Sequence, residues 1–249
     1  TVTRFCDAGA LGPRLARGYS AAGGGLKPAD FISPHVPYAA GGFCGTAGDL
    51  AVWNAGLHAA RGGRVLPAEL YQAMQQPARI RGGRTTRYGL GLALTRIGGR
   101  RALSHGGDID GFTTFTAWLP DDSLNVVVLI NTQGPIRPDA VTLAVVEAVS
   151  GRRAPATPPE PPGSPTAFEG KYAPDVVVIA VDPEGRSLRL ERGPLPPADL
   201  RFDGRDEHGW RYTDGRAIYT FEPPGPGDTR SPAVWADLGV SFVRWTRAP

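Results

Sequence analysis

The stretch Ser104-His105-Gly106-Gly107-Asp108-Ile109-Asp110-Gly111-Phe112 sets one histidine against a glycine pair and then returns at once to apolar sequence. Imidazole can take, hold or release a proton near neutral pH, so a histidine held beside open backbone is a candidate for chemistry. Two readings stand side by side. In the plain one the glycines make a turn and the imidazole is a polar residue at a strand end. In the functional one Arg101-Ala102-Leu103 ends a strand, and the glycines directly after it let a substrate lie close against the backbone. An amide N–H left free on that edge, that of Asp108, then donates to a developing oxyanion, which is worth roughly 3 kcal/mol of transition-state stabilisation. His105 and Asp108 are the catalytic candidates, and Gly106 and Gly107 the substrate-binding ones.

Other chemistries find little support. His35, His58 and His208 are isolated and no His-Glu-x-x-His occurs, so no metal is expected. Gly23-Gly24-Gly25-Leu26-Lys27 lacks the hydroxyl residue that follows Lys in a phosphate loop, and no cofactor is expected. Gly18-Tyr19-Ser20-Ala21-Ala22 nearly spells a nucleophile elbow. It fails at Ala22, and Arg14-Leu15-Ala16-Arg17 is not the buried strand that an elbow needs. Cys6 and Cys44, the only cysteines, form neither a metal motif nor a redox pair. They fit one disulfide or two buried thiols equally well. The compartment therefore stays open, with a periplasmic or secreted setting slightly preferred to a cytoplasmic one.

The 249 residues carry 27 basic and 24 acidic side chains, and the basic ones are almost all arginine, with Lys27 and Lys171 the only lysines. Arg79, Arg81, Arg84 and Arg87, and the pair Arg100-Arg101, sit among glycines without interleaved aromatics, which suits solvated turns better than a nucleic-acid surface. No run approaches the ~18 apolar residues of a membrane span.

Several elements must position the histidine. Thr46-Ala47-Gly48-Asp49 reads as a helix start, with Leu50, Trp53 and Leu57 on one face. Pro67 opens a second helix with Leu66, Leu70 and Met74 at helical spacing. Strands are predicted over 88–96, 112–119 and 124–130, the last two joined by Pro120-Asp121-Asp122-Ser123, and then a helix over 138–149 burying Val141, Ala144, Val145 and Ala148. Residues 1–150 thus read as one α+β domain of helices and antiparallel sheet. Residues 151–165 hold six prolines and read as a stiff connector. After it, short strand candidates at 176–181, 187–191, 210–213, 218–222 and 240–245 indicate a small all-β sandwich or barrel over 166–249.

The stretch SHGGDIDGFTTFTAWLPDDSLNVVVLINT resembles the third active-site motif of the serine β-lactamase, D,D-peptidase and esterase-like superfamily, with His105-Gly106-Gly107 in the His-x-Gly place. Ala16-Arg17-Gly18-Tyr19, the segment from Gly41 to Leu50, and Phe168-Glu169-Gly170-Lys171-Tyr172 are similar to other segments of that family, the last to the opening of a C-terminal accessory domain. The resemblance implies the C-terminal part of a β-lactamase-like domain followed by a small β domain. It also implies hydrolysis of a peptide, ester or amide through a serine ester. In that setting His105 hydrogen-bonds the substrate and supports proton transfer, Gly107 allows close approach, and the Asp108 amide joins the oxyanion hole.

The family's Ser-x-x-Lys and Tyr-x-Asn elements have no counterpart here. Ser123-Leu124-Asn125 fits the letters of the second, but follows His105 where the family's element precedes it. The nucleophile is therefore expected on an N-terminal segment or a second polypeptide, with a small-molecule or peptide acyl substrate as the other partner. A non-catalytic ligand-binding or regulatory scaffold is the alternative. Without the helices and strands that its apolar surfaces expect, the isolated chain should self-associate. Size-exclusion chromatography and thermal melting check this, a monodisperse peak with cooperative melting being the contrary result.

Overall fold

The computed structural model describes residues 2–6, 12–22, 24–59, 65–80, 82–151, 165–182, 187–193, 196–238 and 241–249. The chain divides into two compact units, Thr1–Gln76 with Gly89–Ala154, and Pro77–Tyr88 with Pro155–Pro249. Most of the proline-rich stretch lies outside the described residues.

In the first unit the strands β1 (Arg4–Phe5), β2 (Tyr19–Ala22), β3 (Gly25–Pro28) and β4 (Phe43–Cys44) precede helix α1 (Ala47–His58) and helix α2 (Ala68–Met74). Four strands then form an antiparallel meander, β5 (Ala93–Ile97), β6 (Arg100–Ile109), β7 (Phe112–Leu119) and β8 (Leu124–Ile130). The short β9 (Thr132–Gln133) runs parallel to β2, and helix α3 (Pro138–Ser150) follows. β1 pairs with β4, and the Cys6–Cys44 disulfide crosses that pair with its Cα atoms 4.8 Å apart. Of the two states left open for the cysteines, the disulfide is the one formed.

Alternation along the meander sorts its side chains onto two faces. Ala102, Ala117, Leu119 and Val126 pack with Val146 of α3, while Leu103 packs with Leu57 of α1, Tyr71 of α2 and Leu92. The expected strand over 88–96 begins later, at Ala93. Gly91 takes a left-handed φ of +77°, and Gly89 N–H donates to Leu92 O, so the chain turns before it extends. His105 and the glycines do not follow a strand end, as the sequence suggested. They lie inside the ten-residue β6, where pairing with β7 overrides the low strand preference of glycine.

The helix faces also differ from expectation. Thr46 Oγ1 accepts from Asp49 N–H at 3.1 Å and caps α1 as predicted. The buried side chains of α1, however, are Asn54, Leu57 and His58, and Trp53 is 53% exposed. Asn54 Nδ2 donates to Asn125 Oδ1 at 3.1 Å, and Asn125 Nδ2 donates to Ala51 O at 2.9 Å. This polar seam on β8 fixes the rotation of the helix, which apolar spacing alone misassigns. In α2 the buried residue is Tyr71, and Leu70 is exposed. In α3 Thr142 and Val146 are buried, whereas Ala144, Val145 and Ala148 are exposed. That helix is apolar on nearly every side, so its period cannot select a face.

Arg100 is another correction. Its residue is only 4% exposed, and it donates to Asp122 Oδ1 at 3.1 Å and to Ser150 O at 2.5 Å, fastening the β7–β8 turn to the end of α3.

The second unit is a closed antiparallel barrel in chain order: β10 (Gly170–Ala173), β11 (Val177–Val181), β12 (Leu188–Arg192), β13 (Ala198–Asp206), β14 (Gly209–Thr213), β15 (Ile218–Phe221), β16 (Ala233–Asp237) and β17 (Phe242–Arg247). Five of these follow the predicted strands. The missed ones are β10, which is short, β13, which is charged and shifts register between Phe202 and Gly204, and β16. Tyr172, Tyr212, Phe221 and Trp245 fill the interior, with the Phe168 ring centred 4.7 Å from that of Phe221. The segment Pro77–Tyr88 belongs to this unit. Arg87 N–H donates to Asp237 Oδ2 at 2.9 Å, and the Arg84 guanidinium lies 4.7 Å over the Trp235 ring and 3.7 Å from Glu222. These two arginines are not solvated turn residues.

His58 sets a measurable property of the first unit. Its Nδ1 lies 2.6 Å from the Tyr71 hydroxyl, and its ring stacks on Trp118 with centroids 5.5 Å apart. Burial pushes its pKa down to about 4. The unfolded chain therefore takes the proton first as pH falls. Stability is complete above about pH 6.5 and declines toward pH 4, by about 3 kcal/mol. Denaturant melts across this window should show that slope, and His58→Asn should flatten it by a comparable amount.

Candidate functional site

The candidate site begins with a mismatch of strand lengths. The last pair between β5 and β6 is Ala93 with Ser104, whereas β6 continues beside β7 through Ile109. Among the described residues no strand covers β6 on the β5 side from His105 onward.

The two flanking hairpins fix which backbone groups this leaves open. Each has a two-residue turn, Gly98-Gly99 and Asp110-Gly111, and the pair closing such a turn exchanges both hydrogen bonds. Alternation from Ile97 and Arg100 assigns Arg100, Ala102 and Ser104 to β5. Alternation from Ile109 and Phe112 assigns Ile109, Gly107, His105 and Leu103 to β7. The two assignments interlock without conflict, so the N–H and C=O groups of Gly106 and Asp108 point toward the side where β5 has ended.

Exposure follows the same division. Ala102, Leu103 and Ser104 are buried, and the next four residues, His105 to Asp108, are all exposed. His105 lies on the face it shares with Leu103, with Thr116 as its cross-strand neighbour. Gly106 and Asp108 belong to the opposite face, which packs on α3 further along the strand. Thus β6 brings all four predicted site residues into one shelf, but on two faces of it.

The two glycines are not equivalent. A methyl group at Gly107 would meet Thr114 Oγ1 at 2.6 Å, while one at Gly106 would meet the Phe115 ring at 3.6 Å and Thr114 O at 3.7 Å, both ordinary contacts. Gly107 therefore has a reason within the fold, and Gly106 has none there.

Sequence reasoning missed Gln133. Its Nε2 donates to Asp108 Oδ1 at 2.6 Å, and its Oε1 accepts from Gly111 N–H at 3.2 Å and from Ser20 Oγ at 3.4 Å. A lone glutamine after Asn131-Thr132 carries no motif, and only the pairing of β9 with β2 brings it to the hairpin tip. The Arg17-Gly18-Tyr19 segment also reaches this tip. Tyr19 N–H faces Gly111 O at 3.3 Å, and a methyl group at Gly111 would lie 2.7 Å from the Gly18 Cα.

The remaining candidates disperse. His35 packs on Phe5 at 5.3 Å, His58 is buried in the first unit, and His208 belongs to the barrel. Among the described residues no three His, Cys, Asp or Glu side chains are grouped to hold a metal ion, and no helix is long and apolar enough to cross a membrane. Ser20 lies in β2 rather than at an elbow.

A family model described as Beta-lactamase matches residues 1–150. The chain is similar to the D-aminopeptidase of Brucella anthropi, 28% identical over 93 residues, which are 37% of this chain and 17% of that protein. It is similar also to the D-aminopeptidase of Brucella melitensis biotype 2, 24% identical over 167 residues, 67% of this chain and 31% of that one. Among solved structures it resembles an octameric penicillin-binding protein homologue from Pyrococcus abyssi in fold. There the TM-score is 0.51 at 18% identity, with 98% of this chain and 56% of that one covered. The matched regions span less than a third of the D-aminopeptidases' own length.

The glycine geometry yields a stability test. Gly107→Ala should cost about 1–3 kcal/mol through its clash with Thr114, and Gly106→Ala no more than about 0.5 kcal/mol. Thr114→Ala should remove most of the cost at Gly107, as read from denaturant midpoints of the single and double variants.

Proposed function

We propose, for a chain that belongs to the Beta-lactamase family, that it forms the His-x-Gly wall of a serine hydrolase cleaving a peptide, amide or ester through an acyl-enzyme. The observation that carries this reading is the open edge of β6, with the amides of Gly106 and Asp108 directed outward next to an exposed His105. The names of the D-aminopeptidase relatives favour a peptide amide as substrate.

In the proposed reaction a serine hydroxyl gives its proton to a general base carried on the same segment as it attacks the substrate carbonyl carbon, and the carbonyl π electrons move to oxygen. The Asp108 N–H donates to that oxyanion. A peptide-like substrate lies along the edge as an added strand, its own N–H meeting an outward carbonyl of β6. Gly106 supplies the close approach, since a side chain there would stand on the surface that the substrate crosses. His105 hydrogen-bonds the substrate and supports proton transfer as the amine leaves, and water then hydrolyses the serine ester. A neutral imidazole holds a carboxylate less strongly than a fixed ammonium would, which argues for a peptidase or esterase over a dedicated antibiotic-degrading enzyme. The Cys6–Cys44 disulfide supports an oxidising compartment, periplasmic or extracellular.

No Ser-x-x-Lys occurs in residues 1–249, so the nucleophile belongs to an N-terminal segment or a second polypeptide. The same absence favours, as a second reading, a scaffold that binds an acyl ligand without turning it over.

Intact mass spectrometry before and after a fluorophosphonate or penicillin probe separates the two. An adduct on a polypeptide that contains or accompanies this chain supports the hydrolase, and no adduct on any associated chain supports the scaffold. In the complete enzyme His105→Ala should lower turnover by about ten-fold or more, and unchanged kinetics would remove His105 from the site.

A further inference from the structure

The hydrogen bonds around Gln133 specify both ends of its side chain. The Gly111 N–H can only donate, so the atom facing it at 3.2 Å is the amide oxygen. The Asp108 carboxylate accepts, so the atom at 2.6 Å is the amide nitrogen. Ser20 Oγ donates to the same oxygen at 3.4 Å, and the pairing of Ser20 with Gln133 fixes the backbone from which the side chain extends. One half-buried amide therefore joins β2, β9, the tip of the β6–β7 hairpin and Asp108.

Asp108 presents two ends to different surroundings. Its N–H and C=O lie in the plane of the sheet and point to the uncovered edge. Its side chain leaves the sheet on the face opposite His105 and is held there by Gln133. A peptide group at a covered edge is oriented by ladder bonds on both sides. Here β5 reaches no further than Ala93, so the peptide groups of Asp108 are held from the β7 side alone, through the Gly107 carbonyl and the Ile109 N–H, and the anchored carboxylate adds a second handle on that residue.

We infer that Gln133 is a positioning residue for the hydrolysis proposed above, on which this inference rests. By holding the Asp108 carboxylate and the Gly111 N–H together, it keeps the Asp108 N–H aimed at the place where the oxyanion forms. Misaiming a donor that acts on transition-state charge lowers kcat and leaves KM nearly unchanged.

The test uses the complete enzyme with Q133E, D108N and the double variant D108N/Q133E. In Q133E two carboxylates face each other unless they share a proton, so kcat should fall about ten-fold above pH 7 and recover relative to wild type as pH is lowered. In D108N the carbonyl of the introduced amide still accepts from Gln133, so the Gly111 amide should stay as protected from hydrogen exchange as in wild type. In the double variant the two groups exchange roles. The introduced amide at position 108 donates to the introduced carboxylate at position 133, whose second oxygen still receives the Gly111 N–H. Turnover and its pH profile should then return to near wild type. Hydrogen exchange at the Gly111 amide, read on the same proteins, reports the clamp without reference to activity: protected in wild type and in the double variant, faster in Q133E.

Faster exchange in Q133E with unchanged kcat overturns the inference and leaves the hydrolase reading intact. No recovery of kcat in the double variant, with its Gly111 amide protected as in wild type, overturns it in favour of a direct role for the Asp108 charge. An inactive wild type with a protected Gly111 amide shows instead that the hydrolase reading has failed, and the inference fails with it.

Discussion

A five-residue strand laid beside a ten-residue one leaves half of the longer strand with a row of polar backbone groups facing outward. Such a row is normally a liability, because any extended chain can pair with it. In this protein the row is short, begins where the neighbouring strand stops, and is occupied by a histidine, two glycines and an aspartate. The early end of β5 follows from the turn at Gly89 to Gly91, whose φ of +77° at Gly91 is available chiefly to glycine. The open edge is thus set by residues well before the histidine in the chain, and no property of His105 itself creates it.

An open edge is useful for recognition only if it is held still. Three features stiffen the far end of β6: the two-residue turn at Asp110-Gly111, the close backbone approach of Gly18 to Gly111, and the Gln133 amide that ties the turn to Asp108. They bear on the hairpin tip and on the Asp108 side chain, and among the described residues no strand covers the β5-side edge beside them. At the near end, Leu103 is buried against Leu57 and Tyr71 of the helices and the buried Ser104 hydroxyl lies 3.0 Å from that of Thr95, which anchors the strand just before it emerges. The exposed shelf is therefore clamped at both ends and open between them.

What the sequence made legible was the content of the shelf and the order of the elements around it. Glycine-rich turns, the Thr46 cap and the alternating strands 112–119 and 124–130 are local signals, and each corresponds to an element. Helix rotation was not legible. In α1 the Asn54–Asn125 bond buries a polar residue in place of Trp53, and in α3 an almost uniformly apolar surface gives the period nothing to select. Gln133 was hidden for a different reason. Its role depends on a parallel pairing between two-residue and four-residue strands far apart in the chain, and such pairings leave no periodic trace. The arginines at 84, 87 and 100 read as surface charge because composition cannot show that a carboxylate, an indole ring or a helix C-terminus awaits each of them.

The two units handle strand edges in opposite ways, and this bears on where chemistry belongs. The barrel pairs its first strand with its last, so its ladders close, and large aromatic side chains fill its interior. Its surface is dressed with paired charges such as Arg244 with Glu222 and Arg211 with Asp203. A closed, filled barrel offers an extended substrate no backbone to pair with. The first unit keeps a free edge and carries exposed apolar side chains on its helices, among them Val52 and Trp53 on α1 and Leu143 and Val149 on α3. Unsatisfied backbone and uncovered apolar surface are the two kinds of interaction that a polypeptide partner or a substrate can satisfy. Both lie on the unit that carries His105, so under the proposed hydrolase reading the substrate meets the mixed domain.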